Sequence, residues 1–192
     1  LDYSSDRILQ WGTSGVHLDS RVLATDPLMH TGSQSDTVGM GMTFARLYND
    51  YTGRKVLLVP AARGGTSFTA GDWNDGDPEY TTAITRYAAA LASNVENTGK
   101  GVLWHQGESD QGNATYQTQL DAFIPALYTD LGESISAMPF ICGGLSDAGI
   151  KDNPTRAAIQ TVIEGTPGRI SDTFYVSAVD LGVNSLGDSD HF

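Results

Sequence analysis

Short apolar runs alternate with longer stretches of helical periodicity along this chain. Lys55-Val-Leu-Leu-Val-Pro60 is a compact apolar run closed by proline, which predicts a buried strand. Gly101-Val-Leu-Trp-His-Gln106, Pro139-Phe-Ile-Cys-Gly-Gly-Leu145 and Thr173-Phe-Tyr-Val-Ser-Ala178 predict three more. Between them, residues 38–51, 81–92, 115–131 and 154–164 carry helical patterns. The last opens with Pro154 in its first turn, where the missing N–H costs nothing. Strands apolar on both faces and separated by helices predict an α/β fold of three layers, with a doubly wound and mainly parallel sheet. No linker, repeat or low-complexity tract interrupts the pattern. A chain of 192 residues, 40% of them hydrophobic, suits one domain over residues 1–192.

The ends of the pattern depart from that architecture. Only Asp6-Arg-Ile-Leu-Gln-Trp11 precedes the first helix, and no helix follows the last strand. A doubly wound sheet places its first strand centrally, in the order 2-1-3-4-5. A domain without that strand is left with two unpaired inner edges. The expectation is therefore a fragment of a longer chain, lacking its first strand and its closing helix.

Charge narrows the partners. Eleven basic residues against 23 acidic ones give a net charge of −12. Such a surface repels phosphate backbones and anionic lipid, so neither nucleic acid nor a membrane is an expected partner. Only Lys55, Lys100 and Lys151 are lysines, which leaves no basic patch to hide in the average. No apolar run approaches the ~20 residues of a membrane span. No signal peptide is visible at Leu1, as a mature secreted chain would also show. Cys142, alone in an apolar run, reads as a small buried hydrophobe. Poverty in cysteine fits the cytosol, and equally a secreted protein large enough to need no bridges. Asn113-Ala-Thr115 fits the glycosylation triplet, a pattern that often arises by chance.

Three segments could carry chemistry. In Gly187-Asp188-Ser-Asp-His191-Phe192, a tight turn puts residues three apart on one face. The Asp188 carboxylate can then orient His191 and leave Nε2 free as a base, which is half of a catalytic triad. The competing reading is an acidic surface loop with an incidental histidine. Trp104-His-Gln-Gly-Glu-Ser-Asp110 ends a strand, on the side where such folds bind ligands. Gln106 offers a side-chain N–H to an oxyanion, and Glu108 can brace the loop by accepting backbone N–H groups. His105 reads as a structural strand-end residue, and Gln106, Glu108 and Asp110 read together as a catalytic cluster. Ala61-Ala-Arg-Gly-Gly-Thr-Ser67 places paired glycines after a strand, with Gly65 as the better N–H donor to a developing charge. Arg63 reads as a salt-bridge partner before an anion ligand. Trp73 and Tyr80 are candidates for stacking on a sugar ring.

Other motifs fail. Gly39-Met-Gly-Met-Thr-Phe44 has phenylalanine where a dinucleotide fingerprint needs its third glycine. Asp72-Trp-Asn-Asp-Gly-Asp77 misplaces the glycine of an EF-hand loop. No spacing of histidine or cysteine fits zinc, and no Gly-x-Ser-x-Gly elbow exists.

Taken together, Arg7–Trp11, Val38–Arg46, Arg63-Gly-Gly-Thr-Ser67, Leu103-Trp-His-Gln-Gly-Glu-Ser-Asp110 and Asp188-Ser-Asp-His191-Phe192 resemble the SGNH (GDSL-like) hydrolases. The resemblance is to their carbohydrate acetylesterase branch, which includes acetylxylan esterases and sialate O-acetylesterases. It implies a flavodoxin-like strand order and a serine esterase without metal or organic cofactor, acting on an acetylated carbohydrate. It also implies a triad completed by Asp188 and His191, with Gly65 and Gln106 as oxyanion donors. The family's Gly-Gln-Ser-Asn motif is absent; Ser33 and Ser35 fall downstream of its place and read as loop residues. The nucleophile is thus expected upstream of residue 1, on a covalent or cleaved N-terminal segment. A secreted, extracellular or virion-associated setting is expected, with the cytoplasm as the alternative. The alternative is an inactive module of the same fold that binds carbohydrate or serves a larger extracellular or virion assembly. A flavodoxin-like small-ligand binder is disfavoured because no phosphate loop is present.

Overall fold

The computed structural model describes residues 6–31, 39–179 and 181–182. Among these, residues of 1–64 and 81–98 form one compact unit and residues of 65–80 and 99–192 a second.

The first unit holds a three-stranded sheet of order β2-β1-β3, with β1 at Ile8–Trp11, β2 at Arg21–Leu23 and β3 at Val56–Leu58. β1 and β3 run parallel in the register Ile8↔Val56, whereas β1 and β2 are antiparallel with Leu9 opposite Leu23. Helix α1 (Met40–Thr52) buries Gly41, Met42 and Ala45, and it ends at Gly53, whose φ of 66° forms the left-handed cap. Ile8, Ala24, Leu28, Met42 and Ala45 make the core, with Val56 and Leu58 packed against it. Helix α2 (Pro78–Ala92) contributes the buried Arg86. Its guanidinium donates to the carbonyls of Pro60 (2.9 Å), Gly12 (3.2 Å) and Trp11 (2.6 Å), where β1 and β3 have run out of partners. Burial lowers its pKa from the usual arginine value.

The second unit holds the all-parallel sheet β4-β5-β6, formed by Val102–Trp104, Phe140–Gly143 and Thr173–Val176. Helices α3 (Tyr116–Leu131), α4 (Asp147–Asp152), α5 (Arg156–Glu164) and α6 (Thr166–Arg169) belong to it. Aromatic rings fill its core: Phe123 stands 4.6 Å from Trp104 and 5.6 Å from Phe68, measured between centroids. Cys142 is fully buried beside them, and desolvation pushes its thiol up to about 11, so it remains an uncharged small hydrophobe.

The alternation of strand and helix gives an α/β fold with mainly parallel pairing, as expected. Three details differ. β2 has no alternating pattern of its own and forms because the Gly12–Ser20 loop closes with a Gly12 N–H to Ser20 carbonyl bond. The segment 154–155 is a turn, and α5 starts at Arg156 because the Asn153 side chain takes the Thr155 N–H and hydroxyl. β3 is half-buried at all three positions and β4 at two. Each ends its sheet among the described residues, so only one side of its backbone is paired by a neighbouring strand. No described helix is long and apolar enough to cross a membrane.

Candidate active site

β4 ends at Trp104, and the chain then turns sharply through Gly107 into a short 3-10 turn at Glu108–Asp110. Gly107 has φ 145°, and a Cβ there would sit 2.8 Å from Ile159 Cγ2 and 3.2 Å from Ile163 Cδ1. Glycine is required twice over: by the backbone conformation and by α5 packed against the loop. The turn brings Gln106 and Asp110 together, both buried. Gln106 Nε2 donates to Asp110 Oδ2 at 2.7 Å and approaches the Thr66 carbonyl at 3.4 Å.

The Gly65–Thr69 segment meets this loop from the other side. Gly65 has φ 76° with open space where a side chain would stand, so its constraint is conformational. Thr66 accepts a hydrogen bond from Trp73 Nε1 at 2.9 Å. Phe68 and Thr69 point their N–H groups at Asp110, at 2.9 and 3.1 Å, and the Thr69 hydroxyl adds a third bond at 2.8 Å. Asn113 Nδ2 supplies another at 2.9 Å, and its second hydrogen goes to Gln119. The glycosylation triplet is therefore part of the scaffold. Tyr116 donates to the Gln106 carbonyl and side-chain oxygen at 3.1 and 3.2 Å. Burial above all, and then the charge of Asp110, holds the Tyr116 phenol well above its usual pKa, which keeps it a donor.

Of the residues singled out from the sequence, Gly65 and Gln106 thus lie in two turns that are tied together. The backbone N–H groups there are collected by Asp110 rather than by Glu108. Glu108 Oε1 stands instead 3.7 Å from His105 Nδ1, and His105 Nε2 lies 3.1 Å from the Gly144 carbonyl. That contact fits a strand-end histidine fixed by the next strand's loop. Arg63 is exposed. Trp73 and Tyr80 correct the expectation of sugar stacking: they are 6% and 2% exposed, because the aromatic core and a 2.6 Å bond from the Tyr80 hydroxyl to Asp130 draw them inward. Asp188, His191, Ser33 and Ser35 lie outside the described residues.

Sequence reasoning gave Asp110 no individual role. The signal was present in the spacing, since Gln106, Asp110 and Asn113 stand four and three apart in a stretch that turns tightly. No cluster of metal-ligating side chains exists among the described residues.

Comparison with known proteins places these turns in context. The family model for a carbohydrate esterase, sialic acid-specific acetylesterase, matches residues 5–192. The probable 9-O-acetyl-N-acetylneuraminic acid deacetylase of Escherichia coli (strain K12) is 31% identical over 140 residues, covering 58% of this chain and 42% of that protein. A probable carbohydrate esterase of Arabidopsis thaliana is 32% identical over 119 residues, covering 58% and 44%. The chain spans less than half the length of these curated relatives. Among solved structures, a protein from Arabidopsis thaliana aligns with a TM-score of 0.77 at 27% identity, over 98% of this chain and 74% of that one. NanS has a similar fold, with a TM-score of 0.76 at 22% identity over 94% and 70%.

Proposed function

Because the chain belongs to the sialic acid-specific acetylesterase family of carbohydrate esterases, we propose that it hydrolyses O-acetyl esters on a carbohydrate by serine-type acyl transfer. The observation that carries this reading is the joining of the Gly65–Thr69 and Gln106–Asp110 segments through one buried carboxylate. Two candidate oxyanion donors are thereby held in neighbouring turns.

In this reading a serine attacks the acetyl carbonyl, and His191 takes the hydroxyl proton. Asp188 fixes the imidazole tautomer and stabilises the imidazolium. The Gly65 N–H, the Gln106 carboxamide and the serine's own N–H hold the oxyanion. The imidazolium gives its proton to the departing sugar oxygen. Water, deprotonated by the same ring, then attacks the acyl-serine and releases acetate. No step needs a metal or an organic cofactor. The Escherichia coli relative is named for 9-O-acetyl-N-acetylneuraminic acid, so an O-acetylated sialic acid is the first substrate to assay. An extracellular or virion-borne setting suits such a glycan substrate.

In the full-length protein, His191→Ala should abolish release of acetate from acetylated sugars, and Asp188→Asn should lower kcat by about 10⁴-fold. Undiminished hydrolysis by the His191 variant would remove the triad.

A further inference from the structure

Asp110 is 1% exposed, and its carboxylate accepts five hydrogen bonds, from Phe68, Thr69 (twice), Asn113 and Gln106. Four of these would serve any buried carboxylate. The fifth has a chemical consequence. A carboxamide can sit in two orientations 180° apart, and a carboxylate accepts only, so Nε2 of Gln106 must face Asp110. The Tyr116 hydroxyl, donating to Oε1, fixes the opposite end of the same group. One Gln106 N–H is consumed by Asp110. Among the described residues the other has only the long 3.4 Å approach to the carbonyl of Thr66, the residue after Gly65.

We propose that Asp110 is a positioning residue for deacetylation, holding the Gln106 carboxamide so that its second N–H faces the turn that carries Gly65. The inference rests on the hydrolytic reading above. The same carboxylate pins the Phe68–Thr69 backbone, so one group sets both candidate donors. Its charge opposes a nearby oxyanion, and the five donors spread that charge. The contribution is therefore geometric: it fixes where the donors point, the property on which oxyanion stabilisation depends.

Steady-state hydrolysis of 4-nitrophenyl acetate and of an O-acetylated sialic acid by the full-length protein tests this. Asp110→Asn should lower kcat by about 10²-fold, comparable to loss of an oxyanion donor, and leave KM within about threefold. In a Gln106→Ala background the same change should cost at least about fivefold less, the remaining loss passing through the Phe68–Thr69 backbone. Equal losses in both backgrounds, or an unchanged kcat, would overturn the assignment. Since Asp110→Asn also strips partners from backbone N–H groups, Tyr116→Phe provides a milder probe of the same carboxamide. It removes one hydroxyl and should cost kcat roughly tenfold. A wild-type kcat in a folded Tyr116→Phe protein counts against the proposal.

Nitrogen-15 NMR separates failure of the inference from failure of the hydrolytic reading. The two Gln106 side-chain amide protons should be shifted away from free-glutamine positions and slow to exchange with solvent in the wild type, and should approach free glutamine in both respects in Asp110→Asn. If the protein is inert towards every acetyl ester, the hydrolytic reading falls, and the amide signature decides the positioning alone. Resonances at free-glutamine positions that exchange rapidly with solvent in the wild type would then overturn it, and shifted, protected ones would sustain it.

Discussion

Asp110 and Arg86 are buried ionisable groups of opposite sign, one in each compact unit, and both take partners from the backbone. Arg86 collects the carbonyls of Trp11, Gly12 and Pro60, which lie at and just past the ends of strands β1 and β3. Asp110 collects the N–H groups of Phe68 and Thr69 together with three side-chain donors. The guanidinium caps strand ends and leaves a surface of satisfied acceptors. The carboxylate draws donors inward from two turns, so its surroundings are rich in N–H groups whose directions are fixed. In the proposed reaction the second arrangement bears on a new negative charge only through geometry, by fixing where the Gln106 carboxamide points, because a donor already in place need not reorganise when the charge forms.

The contrast can be broken from either side. Replacing Arg86 by Met keeps the stem and strands three carbonyls, and should cost about 3–5 kcal/mol, read as a lower denaturant midpoint. A loss under about 1 kcal/mol would mean water replaces the guanidinium readily, and the carbonyl cap would be incidental. Gly107→Ala strikes the other unit, forcing a Cβ 2.8 Å from Ile159 at φ 145°. It should cost about 2–4 kcal/mol and depress kcat as well, since Gln106 is its neighbour. Gly65→Ala meets open space but keeps φ 76°, so about 1 kcal/mol of strain is expected, with a proportionally larger effect on kcat than on stability. Equal effects on both would detach Gly65 from the chemistry.

The smallest effect concerns protons. His30 Nδ1 accepts the Ala62 N–H at 3.1 Å, so the folded ring is neutral with its proton on Nε2. Burial first, and Arg86 second, hold its pKa below the ordinary 6.5. The unfolded ring therefore binds a proton at higher pH than the folded one. Its contribution is complete above about pH 6.5 and declines as the pH falls below that. Urea midpoints at about pH 7.5 and pH 5.5 should show a drop in the wild type that His30→Gln reduces. An identical drop in both would assign the acid sensitivity elsewhere.

Much of this was legible from residue order. The runs at Lys55–Pro60, Gly101–Gln106, Pro139–Leu145 and Thr173–Ala178 became β3 to β6 with trimmed ends, because the strength of an apolar run reports burial while the ladder's ends are set by neighbours. The Trp104–Asp110 stretch marked the loop that the structure ties to the Gly65 turn, with Gln106 on it. Trp73 and Tyr80 were misjudged, since an aromatic ring in a polar loop reads the same whether it faces solvent or folds back on Trp104 and Phe123. β2 was missed because three residues without alternation carry no period.

The sequence by itself determined the α/β class, the chain order of strands and helices, and the family to which they belong, for these follow from local period and from motifs a few residues long. The tertiary structure decided which carboxylate matters. Glu108 and Asp110 are equivalent as letters two positions apart, and only the fold aims the Phe68 and Thr69 N–H groups, some forty residues earlier in the chain, at Asp110. Hydrogen bonds across such a separation depend on how two turns are presented to each other, and no local pattern encodes that direction.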